Sequence, residues 1–266
     1  MASRNIELAR EAYRVGDVEA SIKAHDAHKE KHKTGGDFIK SLIYGGFDGV
    51  ITIFAIIAGA QGSNLGTAII IILGVSGVVG DAFSMAVADY LSTKSTKDYN
   101  KGEKKREQWE VQNNPEGEKQ EMIELYTRKG IAKADAERMV EILAKNEDTW
   151  VEVMMAEELG IIEGDESPIK NALVTFFSFV IFGMIPVIPY IIGHATHIAE
   201  EDTMKLFIAS VVLTGVLLFL MGVIKTGVTG GNVIKAGLET LLVGAIAAGT
   251  AYGVGVAFAP LTEGAE

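Results

Sequence analysis

The chain contains no cysteine. Disulfides and thiolate metal sites are therefore excluded, and redox chemistry gives no reading of the compartment. Histidine is missing from the whole stretch between His32 and His194. A net charge of -11 leaves no basic surface of the kind that nucleic acid requires. The stretch from Arg4 to His32 has no apolar core followed by a small-residue cleavage site. A secretory signal peptide is not expected there, and the first spanning helix is expected to direct insertion itself. Charge is also absent from long parts of the chain. It crowds into the first forty residues and the segment from Lys94 to Glu166.

What is present segregates in the same way. Hydrophobic residues make up 48% of the chain and charged ones 22%, and the two populations occupy different segments. This is the pattern of an all-α, polytopic membrane protein with a soluble insert. Five segments approach the roughly 20 apolar residues that a span needs: Phe38–Gln61, Leu65–Leu91, Ala172–Ile192, Leu206–Ile224 and Ala236–Ala259. Gly is frequent inside them, as where helices pack closely in lipid. Pro186 and Pro189 are expected to kink the third. The fifth is rich enough in Gly and Ala that it could be irregular.

Nearly all Lys and Arg fall in the N-terminus, in residues 92–168 and in the 225–235 loop, which five spans place on one side. Lys205 is the lone basic residue of the other side. The positive-inside rule puts the N-terminus and the insert in the cytosol and the tail on the far side. The expected organisation is a cytosolic amphipathic segment (1–36), spans one and two (37–92), a small cytosolic helical domain between spans two and three (93–168), spans three to five (169–260) and a far-side tail (261–266).

Within the insert, the second span is expected to continue as a polar helix through Asp98, Glu103, Glu107 and Glu110 until Asn113-Asn114-Pro115 breaks it. Further helices are expected over Glu116–Arg128, Lys133–Ala144 and Asp148–Leu159. Glu107 and Glu110, Glu118 and Glu121, and Met154 and Glu158 stand three or four residues apart, with Met155 beside the last pair. Such spacing aims two ligand atoms at one point. Carboxylates alone suit hard cations, and an added thioether shifts preference toward transition metals. The alternative is a set of solvated acidic helices in which Met154 and Met155 fill a core.

Acid also appears inside the spans. Asp48 sits mid-span in Gly45-Gly46-Phe47-Asp48-Gly49. A carboxylate there costs several kcal/mol unless it faces a partner or water. Asp81, Met85 and Asp89 follow at one-turn intervals on one stripe of the second span. If that stripe faces Asp48, the membrane holds an oxygen-plus-thioether metal path. Against this stand a structural hydrogen bond for Asp48 or Asp81, plain packing for Met85, and an interfacial place for Asp89. Glu239, at the start of the fifth span, reads as an interfacial residue or a pore-mouth acid. His25, His28 and His32 share a helix face. They suit metal collection, but with Lys23, Lys29, Lys31 and Lys33 around them the favoured reading is a basic helix that is solvated or lies on anionic lipid.

These residues resemble a known family, the vacuolar iron transporters. The resemblance rests on Gly46-Phe47-Asp48-Gly49-Val50 with Ala58-Gly59, and on Asp81-Ala82-Phe83-Ser84-Met85 with Tyr90-Leu91-Ser92-Thr93-Lys94-Ser95. It continues through Trp150 to Gly160, Ile185-Pro186-Val187-Ile188-Pro189-Tyr190, and Glu239-Thr240 with Gly244-Ala245-Ile246. It runs in order from Asp37 to the end of the fifth span and leaves the first 35 residues outside. Many members carry Glu in the second span where this chain has Gly77. Here the acid comes one turn later, at Asp81.

The resemblance implies a homodimer with a pore between the first spans, in the membrane of a vacuole or another acidic organelle. It implies Asp48 and Met85 as pore ligands and Asp37 at the cytosolic mouth. It implies Glu107, Glu110, Glu118, Glu121, Met154, Met155 and Glu158 as a cytosolic metal-collecting set. Asp81 and Glu239 join Asp37 and Asp48 as pore or proton-coupling candidates. The expected partners are divalent metal ions and the bilayer, with no resident cofactor. The cargo is Fe²⁺, with Mn²⁺, Co²⁺ and Zn²⁺ tolerated by the same ligands, exchanged for H⁺. A membrane-anchored ferroxidase is the enzymatic rival, but di-iron sites use Glu-x-x-His and the insert lacks histidine. A sensor that binds without transport is the third reading, and it leaves Asp48 without a purpose.

Overall fold

A computed structural model describes residues 6–20, 22, 36–162, 164, 167–196, 202–229 and 231–261. The chain divides into two units, residues 1–37 and 38–266. In the first, α1 (Ile6–Val15) ends at Gly16, whose φ of 73° is the left-handed conformation that a helix stop favours. His25, His28 and His32 lie outside the described residues, as does the tail from residue 262. Of Asp37 the helical backbone is described and the side chain is not.

The regular elements among the described residues are all helical: α2 (Gly36–Gly62), α3 (Thr67–Asn113), α4 (Pro115–Arg128), α5 (Lys133–Leu143), α6 (Glu147–Glu157), α7 (Pro168–Gly183), α8 (Ile188–Ala195), α9 (Thr203–Thr229) and α10 (Val233–Phe258). Five stretches are long and apolar enough to cross a membrane: Lys40–Gly62, Thr67–Asn113, Pro168–Ala195, Thr203–Thr226 and Val233–Leu261. The protein is therefore all-α with five spans, as the apolar runs predict. The fifth, despite its Gly and Ala, is a regular helix.

The third span is where the prolines act. Pro186 and Pro189 each remove a backbone donor. The α-helix stops at Gly183, a 3-10 turn covers Ile185–Val187, and α8 resumes at Ile188. Ser210 Oγ of α9 donates to the Pro186 carbonyl at 2.7 Å. A backbone acceptor at membrane depth is thus satisfied by a neighbouring helix.

Two features position the sites. The first is the close approach of α2 to α7. A Cβ at Gly45 would stand 2.8 Å from the Thr175 carbonyl oxygen, and one at Gly49 2.8 Å from that of Phe179. Only Gly permits this packing, and it holds the Asp48 segment firmly. The second is α3, one continuous helix of 47 residues. At about 1.5 Å per residue it carries the stripe of the second span and then projects beyond any bilayer. It stops where Asn114 leaves helical geometry and Pro115 opens α4. Helices α4 to α6 fold back on its far end around a core of their own, built on Met122, Val140, Trp150, Val151 and Met154.

Candidate metal centre

The far end of α3 presents Glu107 and Glu110, the first turns of α4 present Glu118 and Glu121, and Glu158 stands at the C-cap of α6. Three local signals place them. Helical spacing puts each pair on one face, Pro115 fixes the reversal between α3 and α4, and Asn146 caps α6 by accepting from the Thr149 amide at 3.0 Å. Oxygens of Glu107, Glu110 and Glu118 lie within 4.8 Å of one another, as do those of Glu118, Glu121 and Glu158. Glu118 belongs to both sets. The five carboxylates that the spacing singled out converge.

Burial makes this convergence costly. Glu107 is 1% exposed and Glu118 6%. Oε1 of Glu107 accepts from Arg106 Nη2 at 2.8 Å, whereas Oε2 is buried with no hydrogen-bond partner among the described residues. A buried carboxylate oxygen left without a donor is expensive, and a cation would satisfy it. Arg106 also stands 3.0 Å from Glu103 and 3.9 Å from Glu110. It is the local counter-charge, and pair spacing alone did not single it out.

Burial, followed by repulsion from Glu121, Glu107, Glu110 and Glu158, pushes the Glu118 carboxyl up to about 7. Burial also raises Glu107, opposed by Arg106. It raises Glu158 too, where Glu107 and Glu121 add to it. A group whose folded value lies above its unfolded one contributes stability that is present at low pH and lost as pH rises through the folded value. The metal-free protein is therefore expected to be more stable at pH 6 than at pH 8, by on the order of 1 kcal/mol from Glu118 alone. Added divalent metal should reverse the order, because bound ligands must be ionised. Thermal unfolding of the detergent-solubilised protein at both pH values, with and without Mn²⁺, checks this. Equal melting at both without metal would contradict it.

Met154 and Met155 are buried in the core of α4 to α6. Their packing fits the core-filler alternative, and Met154 lies one turn before Glu158 at the edge of the carboxylate cluster.

The acids of the spans form a second group. Asp48 is open at the surface of the single chain. Thr52 Oγ1 donates to its Oδ1 at 3.4 Å, and the Asp81 carboxylate lies within electrostatic reach. Asp81 and Met85 are both half-buried, and Met85 packs against the core around Ile53 and Phe179. A Cβ at Gly77 would stand 3.0 Å from Ile56 and 3.2 Å from Ile53. Position 77 is thus pressed against α2, and Asp81 supplies the acid one turn on. Asp89 accepts from Thr175 Oγ1 of α7 at 2.6 Å and from Thr93 at 3.4 Å. It ties α3 to the third span, a contact that no reading of the second span alone reveals. Glu239 is exposed, with Lys235 Nζ 3.9 Å away.

The chain is similar to known proteins over most of its length. The profile described as the VIT family matches residues 39–256. A vacuolar iron transporter of Toxoplasma gondii is 38% identical over 95% of this chain and 88% of its own length. One from Plasmodium falciparum is 36% identical over 96% of this chain and 97% of its own. Vacuolar iron transporter 1 of Arabidopsis thaliana is 35% identical over 85% of this chain and 88% of its own.

Proposed function

We propose, from the premise that this chain belongs to the VIT family, that it transports Fe²⁺ across a vacuolar or similarly acidic organelle membrane in exchange for protons, serving iron storage and detoxification. It is a transporter and not an enzyme. The observation that carries the reading is the pair of three-carboxylate sets sharing Glu118, of which Glu107 and Glu110 stand on the same helix that bears Asp81 and Met85. Collection and passage are thereby joined by one continuous rod.

In this account the N-terminus and the α4 to α6 unit face the cytosol, where Lys and Arg concentrate, and the C-terminus faces the lumen. The carboxylate cluster gathers Fe²⁺ and raises its concentration near the membrane. The ion then passes to Asp48 and Met85, an oxygen and a thioether that suit a transition metal better than Ca²⁺ or Mg²⁺. Two copies place their α2 helices face to face, which removes the open Asp48 carboxylate from lipid. On the acidic side Asp48 and Asp81 take up protons and the metal leaves. Mn²⁺, Co²⁺ and Zn²⁺ fit the same donors.

Competition measures the selectivity. Fe²⁺ uptake by proteoliposomes is expected to fall when Mn²⁺ or Co²⁺ is added in tenfold excess and to persist in the same excess of Ca²⁺ or Mg²⁺. Inhibition by Ca²⁺ as strong as by Mn²⁺ would refute a path built on Asp48 and Met85.

A further inference from the structure

The cluster at the far end of α3 faces a problem of selectivity. Met154 and Met155 pack in a core, so the donors that converge are the carboxylates of Glu107, Glu110, Glu118, Glu121 and Glu158. Carboxylate oxygens suit Ca²⁺ as well as Mn²⁺. Donor type alone therefore does not separate a transition metal from Ca²⁺, and geometry has to. The ions differ in what they ask of a carboxylate. Ca²⁺ takes roughly six to eight oxygens and readily engages both oxygens of one carboxylate. A smaller ion in octahedral geometry is satisfied by one oxygen from each.

Glu107 is held so as to give one. Its Oε1 accepts from Arg106 Nη2 at 2.8 Å, and its Oε2 is buried with no hydrogen-bond partner among the described residues. Adjacent residues of a helix do not face each other, so this contact requires the guanidinium to be turned toward Glu107. Two further carboxylates turn it. Glu103, one turn before, stands 3.0 Å from Nη2, and Glu110, one turn after, stands 3.9 Å from Nε. Glu103 belongs to neither three-carboxylate set, and its part is to anchor the guanidinium. The side chain of Arg106 is half exposed, and that of Glu107 is 2% exposed. The guanidinium thus closes one oxygen of a buried carboxylate from the outside. The oxygen left open is the one whose burial is uncompensated.

We infer that Arg106 sets the ion specificity of the carboxylate cluster: by holding Oε1 of Glu107 it limits this carboxylate to a single oxygen, Oε2, and so disfavours Ca²⁺ against a transition metal. The inference rests on the reading of the cluster as a metal site. It goes beyond the role of a counter-charge. A counter-charge repels all divalent cations alike, whereas a held oxygen changes the ratio between them. Arg106 is a positioning residue in this role, because it touches the ligand and not the ion.

The test is calorimetric titration of the full chain in detergent, with Mn²⁺ and with Ca²⁺. The parent is expected to bind Mn²⁺ more tightly than Ca²⁺. Arg106→Ala frees Oε1, keeps a strong helix former in place and removes a side chain that is half exposed. It is expected to lower the ratio of Mn²⁺ to Ca²⁺ affinity about tenfold, the low end of the effect of removing a partner of a metal ligand. Any change common to both ions reports the lost charge and cancels in the ratio. Lys105→Ala removes the same charge from an exposed neighbour and is expected to keep the parent ratio. Glu103→Gln leaves Glu107 untouched but anchors the guanidinium through a weaker, uncharged acceptor. It is expected to move the ratio the same way by about threefold, and it decides the question if Arg106→Ala does not fold. An unchanged ratio in Arg106→Ala, or an equal shift in Lys105→Ala, overturns the inference and leaves the metal site standing. Ca²⁺ bound by the parent as tightly as Mn²⁺ overturns it as well. No Mn²⁺ binding by the parent removes the metal reading of the cluster, and the inference with it.

Discussion

Replacing Asp48 with Asn is expected to lower Fe²⁺ uptake by proteoliposomes at least tenfold, about 1.4 kcal/mol in the barrier or more, while the protein folds and its carboxylate cluster binds metal as before. The argument starts from cost. An ionised Asp at the centre of a bilayer is unfavourable by roughly 3 kcal/mol on insertion scales. The structure gives this one a single weak hydrogen bond, from Thr52 at 3.4 Å, and a second acid, Asp81, nearby. Neither neutralises it, and in the proposed account a passing cation does. Asn keeps the shape and can accept from Thr52 but removes the charge. The variant Thr52→Val removes the hydrogen bond and keeps the charge, and should retain most of the uptake. If Asp48→Asn transports normally, the carboxylate is not in the path. If Thr52→Val is as severe as Asp48→Asn, the role of Asp48 is structural.

The second large effect is at Glu118. Because it belongs to both three-carboxylate sets, Glu118→Gln should weaken every bound ion, whereas Glu110→Gln and Glu121→Gln should each weaken one set and spare the other. Titration with Mn²⁺ by calorimetry is expected to show about tenfold or greater loss across all sites for Glu118→Gln, a difference of about 1.4 kcal/mol. In transport the same variant should raise the metal concentration needed for half-maximal rate and leave the maximal rate intact, since in the proposed account the cluster collects ions and the membrane acids pass them. Stability should move the other way. The substituted amide carries no charge to desolvate, so the metal-free variant is expected to melt higher than the parent at pH 8. A site that costs stability in its empty form is a common consequence of function. A Glu118→Gln protein that binds metal like the parent would remove the cluster from the account.

Much of this was legible in the sequence because the bilayer imposes simple rules. Apolar runs marked all five spans, and Pro186 and Pro189 marked the break in the third. Asn114-Pro115 marked the end of α3. The ends of α5 and α6 fell one or two residues short of expectation, at Leu143 and Glu157, where helices fray and capping decides. Each glutamate pair was visible from its own helical spacing. The meeting of the pairs was not, because Glu107, Glu118 and Glu158 come together through the packing of α4 and α6 on α3, and sequence spacing carries no long-range contact. The same limit hid the Thr175 hydroxyl on Asp89. Arg106 is different: its partners Glu103, Glu107 and Glu110 are local on α3, and a search for acid pairs alone passed over the base between them. Met154 and Met155 show the opposite case: a spacing that suggests ligands also suits a core, and the structure buries both.

The most direct test of proton-coupled metal transport is Fe²⁺ flux into proteoliposomes with an acidic interior, read together with internal pH. The account predicts that metal entry requires the gradient and that the interior becomes more alkaline as metal enters, with both signals lost in Asp48→Asn. Metal entry that is indifferent to the gradient and leaves internal pH unchanged would contradict it and leave a passive pore.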